Sequence, residues 1–166
     1  GFIIIVIRLD ITFTALRYIV LLCILLALSL VDLEKYEIPD RFIIAGIVWW
    51  AMTIPLMDIS VKAQLMDGLI GALVIAGSML IMSMIFDKVT GKESLGGGDI
   101  KLLFMTGLYL GLFTGLLSLI AACMIGIIFV LVLKQNRIPF GPAISLATML
   151  SALFGNNIVN WYLSIL

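Results

Sequence analysis

Two carboxylates stand where an apolar chain has no ordinary use for them. Asp32 directly follows LLALSLV, and Asp99 follows three glycines in SLGGGDIKLL. A carboxylate kept inside or at the edge of a membrane segment is costly, so each requires a reason. Two that meet in space cannot both ionise easily and come to share a proton. One can then draw a proton from a water while the other gives one to a carbonyl oxygen, which is how paired aspartates hydrolyse a peptide bond. Gly96, Gly97 and Gly98 suit that use, because residues without side chains let another backbone come close. The plainer alternative is that Asp32 and Asp99 are polar helix ends facing lipid headgroups.

Composition narrows the field. The 166 residues are 63% hydrophobic and 12% charged, where a soluble domain carries roughly half and a quarter, so the chain reads as a membrane protein. It has no histidine, which excludes imidazole as a catalytic base or metal ligand. Lys plus Arg equals Asp plus Glu at ten each; without a basic surplus, nucleic acid is excluded as a partner. Cys23 and Cys123 stand alone in apolar stretches and form neither a CxxC pair nor a disulfide framework. Neither a metal site nor an organic cofactor is expected.

The elements that must position the aspartates are membrane helices of about 20 apolar residues each. Runs of that kind cover 13–31, 42–57 and 69–86, and the stretch 100–133 holds two short spans with a break around residues 111–115. A last run, 140–154, is interrupted by Asn156 and Asn157 before 158–166. The expected fold is therefore all-α, a polytopic bundle of about six transmembrane helices in a single domain, 1–166. Lys and Arg concentrate in cytoplasmic loops. The first, third and fifth loops hold seven (Lys35, Arg41, Lys88, Lys92, Lys101, Lys134, Arg137) and the other side three (Arg8, Arg17, Lys62). Both aspartates then lie at the cytoplasmic edge, and Trp49, Trp50, Trp161 and Tyr162 fall towards the outer interface. Gly107, Gly111 and Gly115 would form a smooth packing face if they shared one helix.

The motifs around the aspartates carry a family resemblance. VDLEKYEIPD, residues 31–40, resembles the first aspartate motif of the type IV prepilin peptidases, an Asp followed seven residues later by Pro. LGGGDIKLL, residues 95–103, resembles their GxGD motif, with Lys101 matching the lysine that commonly follows. IPFGPAISLA, residues 138–147, is similar to the PFGP stretch near the family's C-terminus. The resemblance implies an aspartic endopeptidase of the cytoplasmic (inner) membrane that removes the short basic leader of type IV prepilins or pseudopilins after a glycine, on the cytoplasmic side. By position, Asp32 and Asp99 would be its catalytic pair. Gly96, Gly97, Gly98, Lys101, Pro139, Phe140 and Gly141 would bind substrate or shape its groove. Its partners would be the prepilin or pseudopilin and the lipid bilayer. Many bacterial members also methylate the new N-terminus through a preceding region with two CxxC pairs. Residues 1–12 read either as the stub of such a region or as a natural start, and methylation is not expected from these 166 residues.

Position on the helices adds detail. Asp99 stands at a helix N-terminus, where the dipole favours negative charge, and Asp32 at a helix C-terminus, where it does not. The charge is therefore expected on Asp99 and the proton on Asp32. Lys101, two residues on, points about 200° away from Asp99 and reads as a substrate or phosphate contact or as a snorkelling lysine. Glu34, Glu37 and Asp40 read as loop solvation or as an acidic rim for a basic leader. Two other readings stay open: a GxGD protease for other signal peptides, and a small proton- or cation-coupled transporter.

Overall fold

The computed structural model describes residues 13–56, 60–91, 95–133 and 139–164; the suggested stub, 1–12, lies outside them. The described residues form an all-helical membrane bundle: α1 (Phe13–Lys35), α2 (Asp40–Thr53) with a 3-10 turn at Ile54–Leu56, α3 (Val61–Thr90), α4 (Gly97–Leu133) and α5 (Gly141–Leu163). Three stretches are long and apolar enough to cross a membrane, Thr14–Lys35, Val61–Thr90 and Gly97–Val132, and a shorter apolar one covers Gly141–Gly155. Asn156 and Asn157 do not interrupt α5, since asparagine lowers helix propensity only modestly.

α4 is two rods. Asp99 near its start is coupled electrostatically to Asp32, Asp32 accepts the Gly141 N–H, and the neighbouring Phe140 lays its ring on Gly126. On a straight helix residues 99 and 126 would lie about 40 Å apart. The chain therefore doubles back at Gly111, whose backbone (φ 70°, ψ −169°) is non-helical. Counting the arms 97–110 and 112–133 separately, the described residues hold six helical rods, against about six membrane spans expected. At the reversal, the Leu112 N–H that opens the second arm donates to Asp67 Oδ1 of α3 at 3.3 Å. Gly107, Gly111 and Gly115 do not share one helix face as expected, because the break falls between them. All three instead meet α3, at Ala72, Gly71 and Ile75 respectively.

The first arm of α4 is the core. Leu102, Leu103, Met105, Thr106, Leu108 and Tyr109 are all buried, the pattern of a helix that is apolar all round because neighbours surround it. Tyr109 donates to the Gly46 carbonyl of α2 at 2.7 Å, and Tyr18 of α1 donates to the Tyr109 carbonyl at 3.3 Å. Trp50 belongs to this core rather than to an interfacial belt, since it is 5% exposed and its ring covers Gly68. Trp161 and Tyr162 are exposed as a belt requires. Arg17, counted above as an outer charge, is buried with its guanidinium carbon 5.1 Å from the Tyr109 ring centre.

The helix ends are not level. Leu80 of α3 lines the same groove as Asp40 and Lys101, yet α3 runs ten residues further, about 15 Å. The second arm of α4 likewise runs on past Gly126, the residue that meets Phe140. Their apolar parts are exposed, with Ile81, Met84, Ile85 and Phe86 on α3 before Asp87 and Lys88 in its last turn, and Ile127, Ile128 and Leu131 on α4.

Gly111→Ala tests the reversal. An added Cβ would run into the Asp67 carboxylate, and a positive φ costs an L-residue about 1–2 kcal/mol before any clash. The variant is expected to unfold at a clearly lower temperature in detergent, while Gly77→Ala, whose Cβ would meet nothing within 4 Å, should match the parent.

Candidate active site

The segments bearing the two aspartates pack directly on each other. α1 runs helical to Lys35 and ends with Tyr36 in the left-handed region (φ 54°), its N–H donating to the Asp32 carbonyl at 2.9 Å. That turn sends 37–39 out extended, and Pro39 then sets the start of α2. Ile38 lies on Gly98, where an added Cβ would fall 2.9 Å from the Ile38 Cβ. Glycine at 98 thus lets the two segments touch. Gly97, by contrast, faces open space.

Asp99 is the third residue of α4, and its carboxylate reaches back to the Gly96 amide in the manner of an acidic residue closing a capping box. Asp32 is 4% exposed, and its Oδ2 accepts the Gly141 N–H at 2.9 Å. Gly141 and Pro142 open α5. Asp32 therefore sits at the C-terminal end of its own helix and on the N-terminus of another. The expectation that the dipole separates the two carboxylates set Asp99 at a helix N-terminus against Asp32 at the C-terminus of α1, and α5 changes the second half of that premise: each oxygen set faces a helix N-terminus. Because the pair titrates jointly, the proton belongs to the pair.

Asp32 and Asp99 line one cleft of about 360 Å³ with Tyr36, Glu37, Ile38, Asp40, Gly96, Gly97, Gly98 and Lys101. The sequence-derived residues Gly96, Gly97, Gly98 and Lys101 are thus brought together with the pair. Gly141 reaches it through its amide. Pro139 and Phe140 stand apart: Phe140 packs on Gly126 in the core, and Pro139 faces an apolar groove between α1, the second arm of α4 and α5. Glu37 and Asp40 give the cleft an acidic wall. Among the described residues, no three carboxylate or thiol groups converge closely enough to hold a metal ion.

Lys101 has a partner that the sequence did not disclose. Its Nζ lies 2.7 and 2.8 Å from the two Asp40 carboxylate oxygens, bridging the start of α2 to the first turn of α4. Both side chains are more than half exposed, so the pair contributes at most about 1 kcal/mol in water. Asp40 directly follows the Ile-Pro pair and Lys101 follows Asp99 by two residues, but nothing in either segment marks the other as its partner.

The fold and site thus define a polytopic membrane helix bundle with two carboxylates lining one polar cleft. The chain belongs to the type IV leader peptidase family, whose model matches residues 19–131. It is 35% identical over 150 residues, 85% of this chain, to a prepilin leader peptidase/N-methyltransferase of Aeromonas salmonicida. It is 36% identical over 150 residues to the protein of the same name from Aeromonas hydrophila, and 32% identical over 146 residues to that from Pseudomonas aeruginosa. The chain spans about half the length of these curated relatives. No solved structure matches it.

Gly141→Ala follows from this geometry. The backbone at 141 accepts alanine, but the added Cβ would lie 2.6 Å from Asp32 Oδ2 and push that carboxylate off its amide. Peptidase activity is expected to fall about tenfold or more, since misplacement of a reacting group by about 1 Å costs that much or more. Thermal stability in detergent should change far less than it does in Gly111→Ala.

Proposed function

We propose that this chain is a membrane aspartic endopeptidase that removes the short basic leader from type IV prepilins or pseudopilins, cutting after a glycine at the cytoplasmic face of the inner membrane. The convergence of Asp32 and Asp99 in one cleft, each within a motif of the leader peptidase family, carries this reading.

A water held between the carboxylates is the nucleophile. The ionised member of the pair takes its proton as the oxygen attacks the scissile carbonyl, and the protonated member donates to the carbonyl oxygen. Collapse of the tetrahedral species breaks the C–N bond, and the proton just taken from water goes to the leaving amine. The open face at Gly97 lets the extended substrate backbone approach the pair. Glu37, with Asp40 beyond it, attracts a leader rich in Lys or Arg. Gly141 holds Asp32, Gly96 holds Asp99, and Pro139 with Phe140 fixes the start of α5 that presents the Gly141 amide.

The cleft is recessed. The exposed apolar stretches, up to Phe86 on α3 and along the end of α4, belong in hydrocarbon, so the floor between them lies roughly 10 Å below their apolar ends. The irregular backbone at 95–96 is acceptable at that depth because Gly96 borders a polar cleft rather than lipid. The seven-against-three distribution of Lys and Arg puts this end of the bundle on the cytoplasmic side.

The experiment is cleavage of a prepilin bearing a basic, Gly-ended leader by the detergent-solubilised chain, beside Asp32→Asn and Asp99→Asn. The parent should trim the leader, and each variant should lose at least about 100-fold in rate, the usual worth of a positioned acid or base, with its melting temperature little changed. Variants that cut as fast as the parent would remove the pair from the mechanism. A parent that leaves prepilin intact yet trims another signal peptide would move the substrate assignment elsewhere in the GxGD class.

A further inference from the structure

A leader peptidase must hold the apolar helix of its substrate as well as the leader, and the bundle offers two apolar grooves on its flanks. One, of about 600 Å³, lies between α1, the second arm of α4 and α5; it reaches Leu33 and Pro142, neighbours of Asp32 and Gly141, but shares no lining residue with the aspartate cleft. The other, of about 510 Å³, lies between α2, α3 and the first arm of α4; Ile44, Ile47, Leu73, Leu80, Ile100 and Phe104 form its walls. This second groove shares Asp40 and Lys101 with the aspartate cleft. The ion pair is therefore the boundary between an apolar trough and the polar cleft.

We infer that the α2–α3–α4 groove is the docking site for the apolar helix of the substrate, with the scissile bond passing over the Asp40–Lys101 pair into the cleft. The inference rests on the peptidase reading above. Two features favour this occupant over the groove's lining being ordinary lipid-facing surface. The first is continuity: this groove opens into the cleft through Asp40 and Lys101, whereas the other, though it reaches Leu33 beside Asp32, shares no lining residue with the cleft. The second is depth. A substrate whose apolar helix begins just beyond the cut must present that bond below the membrane surface, and the recessed cleft, walled by the α3 overhang, meets it there. The trough runs from Leu73 to Leu80, seven residues or about 10 Å of α3, which suits one face of a docked helix with anchors spaced at i, i+3 or i+4, and i+7.

The floor of the trough is kept low by Ala76 and Gly77, and a Cβ added at Gly77 would meet nothing within 4 Å. Gly77→Phe therefore starts a ring into the trough from a position with open space around its Cβ, and an unchanged melting temperature in detergent checks that the free enzyme accommodates it. In the parent chain in detergent, with a full-length prepilin, Gly77→Phe is expected to raise KM about tenfold or more, the usual worth of a lost apolar pocket, with kcat within about twofold. Ser29→Phe, which projects into the other groove, should leave both constants unchanged. A photo-reactive benzophenone side chain at position 80 in the Asp32→Asn background should cross-link the uncleaved prepilin through its apolar helix. If Gly77→Phe cleaves like the parent, or if Ser29→Phe carries the KM effect, the groove assignment is overturned while the peptidase reading stands. Cross-linking to phospholipid alone would make the trough a lipid site and overturn it equally. If the parent itself cleaves no prepilin, the peptidase reading fails and takes the docking site with it.

Discussion

Hydrocarbon offers no hydrogen bonds, so a helix that starts or breaks inside the bundle must answer its free amides from within the protein. At three places the bundle does so with acidic side chains, whereas the N-cap residues of α2 and α3, Pro39 and Ser60, make no side-chain cap bond. Where α4 doubles back, Asp67 accepts the Leu112 N–H. Where α4 begins, Asp99 accepts the Gly96 amide, and where α5 begins, Asp32 accepts the Gly141 N–H. Negative charge at a helix N-terminus is favoured by both the free donors and the dipole. The cost of keeping carboxylates in a membrane protein is thus offset by the helix starts they complete, and two of the three are the pair facing the cleft.

That arrangement explains why the cleft lies at irregular backbone. The first arm of α4 is buried except where Ile100, Lys101 and Phe104 face the groove beside α2 and α3, and it delivers Asp99 from within the bundle, while α1 delivers Asp32 from the flank. Contact between Ile38 and Gly98 fixes how near the two segments come. The Asp40–Lys101 pair adds a tie at the rim, weak in water and less screened where apolar overhangs exclude solvent. Orientation of the two carboxylates is therefore set mostly by backbone amides, which move less than side chains.

Much of this was legible in the sequence. Apolar run lengths gave about six spans, against six helical rods, and the glycine cluster placed the break in 100–133 correctly near residue 111, because a reversal inside an apolar stretch needs a residue free to take positive φ. Asp32 and Asp99 stood out by cost alone, and the family motifs tied them together. Tertiary neighbours were not legible. Pro142 after Gly141 marks a helix start and so predicts free amides there, but nothing local names Asp32 as their acceptor. Trp50 was assigned to an interface because tryptophan favours that layer, whereas the gap above Gly68 accommodates its ring. Lys101 was judged by its angle to Asp99 along one helix, yet in a first turn the partner came from another helix.

The double duty of the aspartates bears on how their substitutions are read. Asparagine keeps a carbonyl oxygen in the place of one carboxylate oxygen, so it can still accept a backbone N–H while losing the ability to take or share a proton. Alanine removes both, leaving a helix-start amide unanswered in a poorly hydrated place, which costs about 1–3 kcal/mol. Inactivity in an alanine variant would therefore mix lost chemistry with a displaced α5 or α4, and Gly141→Ala disturbs position without touching the carboxylate's chemistry. Comparing the isosteric change with that displacement separates the acid or base role proposed for Asp32 from what it does as a cap, because only the first depends on a proton.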